Sequence, residues 1–387
     1  MYSVTTVDPD PRHPARQSKP FPTITKPNLV GFFSLNHDRT YDSSAVQLKY
    51  LTLPPGSRTT DLQLDLNEGF EIHQPKPCSS KEEKIDMLLT FIRQSDQKDL
   101  WITTEQGHRR LKHGFVCFRG LLRLISCTPY DWKTSWIVQA IRYRGTIYLC
   151  EKPTLDKLES ERNETEQQKR FCYYGFKFEQ HILTDRPGIR PDTSAPVMLG
   201  EEFCSMFDTT LAGHRLLYGA EMDGIVANEP LDRDRIQVDD LRRCEFVEVK
   251  VKRKETTQRQ VDNFYRYKTK NWWCQSFLVN VQRLVVGLRD DEGIVREITD
   301  MKLSDIQRES RPFWSPAVCI NFCADFLSEV VRVMGETDDS KKVYQFEYDS
   351  RASRRVRYRV LEEDGHRASG FLPDWYTRHV EQMQPKL

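Results

Sequence analysis

Residues 245–252 (EFVEVKVK) alternate with a period of two. Val247, Val249 and Val251 share one face, and Glu248, Lys250 and Lys252 share the other. A β-strand produces that alternation because successive side chains point to opposite faces. The valine face must be buried, so this strand belongs inside a sheet with a charged outer side. Upstream, residues 217–227 (LYGAEMDGIVA) carry the same period, with Ala220 and Met222 on one side and Glu221 and Asp223 on the other. If the two strands pair, their carboxylates and Lys250 converge on one patch.

Such a patch has a chemical purpose. Neighbouring carboxylates raise one another's pKa, and a divalent cation removes that penalty. An incomplete set of hard oxygen ligands suits Mg²⁺ or Mn²⁺. A cation held there lowers the pKa of water and neutralises phosphoryl oxygens. A lysine two residues along the strand can steady the charge of the transition state. An isolated Glu-x-Lys is an ordinary solvated ion pair. What distinguishes this one is the preceding Glu-x-Asp, with twenty-four residues between Asp223 and Glu248. An acid, a gap and then Glu-x-Lys resembles the PD-(D/E)xK nuclease pattern.

The rest of the chain reads as a mixture of strands and helices. Strand-like segments rich in aromatic and β-branched residues are 114–119, 146–150, 173–182, 216–227, 245–252 and 283–288. Helical spacing appears at 81–93, 201–211, 258–277 and 317–333. The order shows no regular βαβ rhythm, so the expectation is an α+β protein: a large mixed β-sheet and a smaller sheet flanked by helices. Residues 1–28 hold six prolines and read as a flexible N-terminal arm, and 29–387 as one catalytic domain. Residues 155–169 (LDKLESERNETEQQK) read as a solvated helix or insertion, and 185–196 as a surface loop.

Bulk properties narrow the class. The 58 basic residues nearly balance 57 acidic ones, so a polyanionic partner needs local clustering of charge. Such clustering occurs from Arg242 to Lys270, with ten Lys/Arg against four Asp/Glu. Phe264, Tyr265, Tyr267, Trp272 and Trp273 lie in or beside it, a composition suited to single-stranded nucleic acid. The ten cysteines form no Cys-x-x-Cys and no zinc-finger spacing, which points to reduced, buried thiols. No run approaches a membrane span and no apolar leader is visible. The expectation is a soluble protein of the nucleus, with the cytoplasm as a second compartment.

Five segments taken in order resemble the DXO/RAI family of decapping exonucleases, with a sixth following. They are 113–120 (HGFVCFRG), 173–179 (YYGFKFE), 219–224 (GAEMDG), 246–250 (FVEVK) and 272–278 (WWCQSFL), followed by 285–289 (VVGLR). The resemblance spans about residues 30–350. It implies a PD-(D/E)xK-like core and hydrolysis at RNA 5′ ends. The substrates implied are single-stranded RNAs with unmethylated caps, NAD caps or 5′-triphosphates, with 5′→3′ trimming. It implies that Glu179, Asp223, Glu248 and the Val249 carbonyl hold two divalent ions, Mg²⁺ or Mn²⁺, with Glu221 acting through water. Lys250 and Gln275 then serve the attacked phosphate, and Arg119 grips the 5′-end phosphates. A larger nuclear 5′→3′ exoribonuclease is the candidate protein partner. A catalytically silent RNA-binding protein and a DNA nuclease are the alternatives; the retained acids and the Trp-x-Gln segment disfavour them. The sixteen-residue connection 228–243 (NEPLDRDRIQVDDLRR) is longer than is usual in that family and bears on local substrate contacts.

Overall fold

A computed structural model describes residues 2–55, 62–78, 80, 83–95, 100–105, 107, 109–233, 235–352, 354–361 and 370–383. Two sheets carry the molecule. The larger has ten strands, in spatial order Ser3–Val4, Val356–Leu361, Val343–Tyr348, Trp136–Tyr143, Thr146–Lys152, Phe115–Phe118, His214–Glu221, Glu202–Leu211, Asn28–Leu35 and Tyr41–Asp42. Phe115–Phe118 runs parallel to both its neighbours, and the other pairs are antiparallel. The smaller has seven, in order Leu183–Thr184, Tyr50–Leu51, Gly224–Val226, Glu245–Arg253, Arg283–Arg289, Ile294–Lys302 and Leu64–Asp65. The expected mixed sheet, smaller sheet and flanking helices are what the chain builds.

One apolar core joins the two sheets. It takes Phe115, Leu149, Leu216 and Tyr218 from the larger sheet and Leu284 and Val286 from the smaller. Between them lie Leu122 and Ile125 of helix Arg119–Cys127, Trp273 and Leu278 of the Thr269–Phe277 region, and Phe322 and Phe326 of helix Pro316–Met334. Cys117, Cys127, Cys274, Cys319 and Cys323 are buried there as free thiols, as their apolar settings imply, whereas Cys78 and Cys172 are exposed, against the expectation of burial. Burial pushes the Cys323 thiol up to about 12. The N-terminal segment lies against this body. Ser3–Val4 pairs with Val356–Leu361, and Arg16 reaches Asp325 at 3.4 Å. None of the described helices is long and apolar enough to cross a membrane.

Two elements differ in type from the sequence expectation. Residues 173–182 are not a strand: they end the helix Glu166–Ile182. A capping box of Thr165 and Gln168 starts that helix. Its buried residues Tyr174, Phe178 and Ile182 then recur at four-residue spacing. Aromatic richness imitates a strand there because two helical stripes, 173/177/181 and 174/178/182, are interleaved. Conversely, 201–211 is not a helix but the strand Glu202–Leu211. Phe203 and Phe207 enter the core between the sheets, while Cys204 and Met206 enter the core on the opposite side. With both faces apolar, the period-two signal disappears.

The other helical expectations are met. Gln258–Phe277 is helical throughout, with a π-helical turn at Phe264–Lys268. Pro316–Met334 is a helix, and Leu155–Arg162 is a helix with no buried residue. The helix expected over 81–93 covers Asp86–Gln94, and residues 81 and 82 lie outside the described residues.

The helix Glu166–Ile182 packs on the smaller sheet, with Phe178 joining Val247, Val249 and Val285 in one cluster. Close approach requires Gly287, because a Cβ there would stand 2.7 Å from the Phe178 ring. Gly287→Ala should therefore destabilise the protein by about 1–3 kcal/mol through overpacking. Denaturant melts measure this, and an unchanged midpoint would contradict the close fit.

Candidate active site

The acidic motif lies where the chain changes sheets. His214–Glu221 ends the strand in the larger sheet, and Gly224–Val226 begins pairing in the smaller one. Met222 and Asp223 form the crossing. Hence Glu221 and Asp223 share a side as the alternation implied, but their strand does not pair with the Glu-x-Lys strand along its length. Only Gly224, Ile225 and Val226 do so, opposite Val247, Phe246 and Glu245. Beyond Val247, the edge of the Glu-x-Lys strand is left to Asp223, whose Oδ2 accepts a 2.6 Å hydrogen bond from Val249 N. A strand residue's N–H and C=O face the same edge, so the Val249 carbonyl looks toward Asp223 too.

Glu248 is at the centre, 1% exposed. Its Oε1 accepts from Lys250 Nζ and from Gln275 Nε2, the latter on helix Thr269–Phe277. Its Oε2 faces Arg119 Nη1 at 3.7 Å. Neither of these two buried atoms has a hydrogen-bond partner among the described residues. Arg119 is the first residue of the helix that follows the strand Phe115–Phe118. Glu179 comes from the last turn of Glu166–Ile182, not from a strand, and it faces Asp223 and Glu221 electrostatically. The seven side chains singled out from the sequence, with the Val249 backbone, thus meet at one place, supplied by two sheets and three helices.

Charge at the site is unbalanced. Burial raises the Glu179 carboxyl well above its ordinary range, with Asp223 and Glu221 adding to the effect. Asp223 is pushed up to about 6, by burial first and Glu248 next. Glu221 opens to solvent yet is pushed up to about 8, by the protein packed around it and then by Glu202 and Asp223. Burial alone would lower Lys250, but Glu248 and Asp223 outweigh it and hold the ammonium protonated. Fully ionised, Glu179, Glu221, Asp223 and Glu248 would exceed Lys250 and Arg119 by two negative charges.

That deficit suits binding of a divalent metal. Oxygen donors and an orphaned Glu248 Oε2 are the right chemistry for a hard metal ion. The donors are not yet gathered: among the described residues no three His, Cys, Asp or Glu side chains stand at ligand spacing. Lys250 and Gln275 hold Glu248, and Val249 N holds Asp223, so a cation would replace these bonds.

A cavity of about 390 Å³ opens beside Glu179, Glu221 and Asp223. Its outer wall is the loop 185–198, and Gln47 and Lys49 line another side. The long connection fastens these walls. Arg233 donates to the carbonyls of Val46 at 3.0 Å and Asp185 at 2.6 Å, and to that of Leu48. Leu231 N donates to the Tyr50 hydroxyl at 2.9 Å. Residue 234 lies outside the described residues.

Glu202 escaped the sequence argument. It lies beside Glu221 and is held by Arg39 at 2.9 Å and Lys76 at 2.5 Å. Its signal was the Cys204–Glu221 pairing, which a helical reading of 201–211 hides. The basic stretch is more subdued than its composition implied. Lys252 pairs with Glu255, Arg253 with Asp291 and Lys254 with Glu297. Phe264 and Trp273 are buried in the packing, whereas Arg266, Tyr267 and Lys268 are exposed.

The raised Glu221 has a consequence for stability. Below its unfolded value of 4.5 both states carry the proton and no penalty exists. As pH rises from 4.5 toward about 8 the unfolded chain ionises first, and stability is lost. Glu221→Gln, neutral throughout, should melt a few degrees higher than the wild type above pH ~8 in chelator, with little difference near pH ~4.5. An equal difference at both pH values would show that Glu221 is not held protonated.

The sequence and the fold have counterparts. A sequence model described as RAI1-like PD-(D/E)XK nuclease matches residues 25–377. The Drosophila melanogaster decapping and exoribonuclease protein Rai1 is 33% identical over 365 residues, covering 94% of this chain and 93% of that protein. In fold, the chain is similar to Scheffersomyces stipitis Rai1, solved in complex with (3'-NADP)+ and calcium ion. That match has TM-score 0.78 and 18% identity and covers 98% of both chains. Candida albicans Rai1, solved in complex with pU5-Mn2+, matches at TM-score 0.78 and 18% identity, over 98% of this chain and 99% of that one. By sequence and by architecture, the chain belongs to the RAI1-like PD-(D/E)XK nuclease family of hydrolases.

Proposed function

We propose that this chain is a divalent-metal-dependent hydrolase of single-stranded RNA 5′ ends. In this account it removes unmethylated and NAD caps, releases pyrophosphate from 5′-triphosphates and trims 5′→3′. The observation that carries the proposal is the meeting of Glu179, Glu221, Asp223, Glu248 and Lys250 where the chain changes sheets, around a buried carboxylate oxygen without a donor. The names of relatives support the substrate class: one is a decapping and exoribonuclease protein, and one was solved with pU5-Mn2+.

Glu179, Asp223, Glu248 and the Val249 carbonyl would hold Mg²⁺ or Mn²⁺, two ions in this proposal, with Glu221 acting through water. The cation supplies charge neutralisation on the phosphoryl oxygens and a lower pKa for the attacking water. Lys250, kept protonated by its acidic neighbours, stabilises the extra negative charge as the phosphorus becomes five-coordinate. Glu221, open to the cavity, orients the water. Gln275 fixes Glu248 and faces the scissile phosphate. Arg119 has an unengaged Nη1, a donor available to a 5′-end phosphate. Every one of these reactions breaks a phosphate linkage near the end of one strand, so a single site serves them all. The compartments proposed are the nucleus and, second, the cytoplasm, and the partner proposed is a nuclear 5′→3′ exoribonuclease.

Asp223→Ala or Glu248→Ala should abolish hydrolysis of 5′-end-labelled RNA with Mn²⁺ and leave the fold intact by circular dichroism. Normal turnover by either variant would remove the proposed site. Lys250→Ala should lower kcat by about 100-fold or more with little change in RNA affinity, as for a group acting on the transition state. A defect confined to affinity would reassign Lys250 to phosphate positioning.

End-directedness has its own test. The acids lie against a cavity and not on an open face, so a circular RNA should resist while the linear strand of the same sequence is degraded from its 5′ end. Efficient cleavage of the circle would overturn the end-directed reading.

A further inference from the structure

The larger sheet has a second functional-looking end. At the end opposite the acids, two hairpins turn tightly through Arg144–Gly145 (φ 49° and 77°) and Ala212–Gly213 (φ 48° and 86°). The strand Phe115–Phe118 enters the sheet between them. A cavity of about 290 Å³ lies there. Seven strand steps separate His214 from Glu221, about 23 Å at ~3.3 Å per residue. The two cavities are therefore different places.

Six lining side chains give this second cavity its character: Arg110, Lys112, His113, Arg142, His214 and Arg215. Arg110 and Arg215 are exposed, and neither forms an ion pair among the described residues. Arg142 spends one nitrogen on the Gly335 carbonyl and leaves a buried Nε unpartnered. The nearby acid is Asp208, 3.4 Å from Lys112 Nζ and 3.6 Å from His113 Nε2. Asp338 accepts a 2.8 Å hydrogen bond from Gly145 N. These acids do not offset the cations.

His113 is the second, independent observation. It is 2% exposed, and neither ring nitrogen has a hydrogen-bond partner. Asp208 approaches only Nε2, at the ion-pair distance of 3.6 Å, which leaves Nδ1 without any partner. A buried imidazole always carries at least one N–H, and an unmet buried donor is costly. An anion in the cavity would accept from that N–H and meet the guanidinium forks of Arg110, Arg142 and Arg215, whose planar donors match phosphate oxygens.

We propose that this cavity is an anion site for phosphate groups, separate from the acid cluster. The phosphates can come from a free polyphosphate or from an RNA backbone. The shared chemistry is several phosphate oxygens accepting from arginine and from His113. The proposal does not depend on the function assigned to the acid cluster.

The test is binding to the full chain in chelator, which keeps the acid cluster metal-free. One probe is inorganic tripolyphosphate, followed by calorimetry. The other is a 5′-hydroxyl single-stranded RNA, followed by fluorescence anisotropy. Arg110→Glu with Arg215→Glu should weaken tripolyphosphate or RNA binding by about tenfold or more. For RNA, the slope of log K against log salt should flatten by about 1.4, or ~0.7 for each lost contact. Loss for tripolyphosphate alone assigns a soluble ligand, loss for RNA alone assigns the backbone, and either supports the site. Arg110→Gln with Arg215→Gln, expected to melt like the wild type, should show a weakening in the same direction and guards against misfolding. Unchanged binding of both probes in both variants would overturn the proposal. So would a tripolyphosphate loss in Arg119→Gln equal to that in the double variant, because the anion would then sit beside the acids.

Discussion

A carboxylate buried to 1% exposure sets the terms for this structure. Glu248 cannot be left unpartnered in a packed interior, because an isolated charge there is prohibitively expensive. Its partners come from separate elements: Lys250 from its own strand, Gln275 from a helix, and Arg119 from the helix that leaves the larger sheet. Holding Glu248 therefore means holding two sheets and two helices in register. The bonds are incomplete, since Oε2 and Arg119 Nη1 are both unsatisfied. An unmet pair beside three carboxylates with raised pKa values marks a site arranged for something more than folding.

The crossing at Met222–Asp223 explains how such a site forms on this chain. A strand that continued in one sheet would carry Glu221 and Asp223 away from Glu248. Leaving the larger sheet after Glu221 and entering the smaller at Gly224 brings both acids to the gap between the sheets. Met222, 3% exposed, anchors the crossing in the shared core. Gly224 fits because a Cβ there would meet Leu183 at 2.8 Å. The same topology gives the larger sheet two unlike ends, one acidic where strands cross to the second sheet and one basic where hairpins turn back.

The Glu-x-Lys strand was legible in the sequence because one face meets apolar neighbours and the other meets charge, so its alternation survives. The Glu221–Asp223 alternation was legible for the same reason, but its division between two sheets was not. A two-residue crossing leaves no mark on a period-two pattern. Glu179 is among the acids that the motif order picks out, but its place on a helix is hidden in the sequence. An interleaved aromatic helix and a half-buried strand look alike over ten residues, and the Thr165–Gln168 capping box lies outside that window. Glu202 stayed hidden because a strand apolar on both faces has no polar side to announce it. The charge of 250–254 was visible, but its pairing with Glu255, Asp291 and Glu297 depends on tertiary neighbours.

The central claim is that the acids from two sheets and a helix form one divalent-cation site. Mn²⁺ binding measured directly tests it without reference to any substrate. The wild-type chain should bind Mn²⁺ saturably, as read by calorimetry or by loss of the free-ion resonance signal. Glu248→Gln and Asp223→Asn, which keep shape and remove charge, should each lose that binding. Unchanged stoichiometry and affinity in both variants would contradict the account at its root.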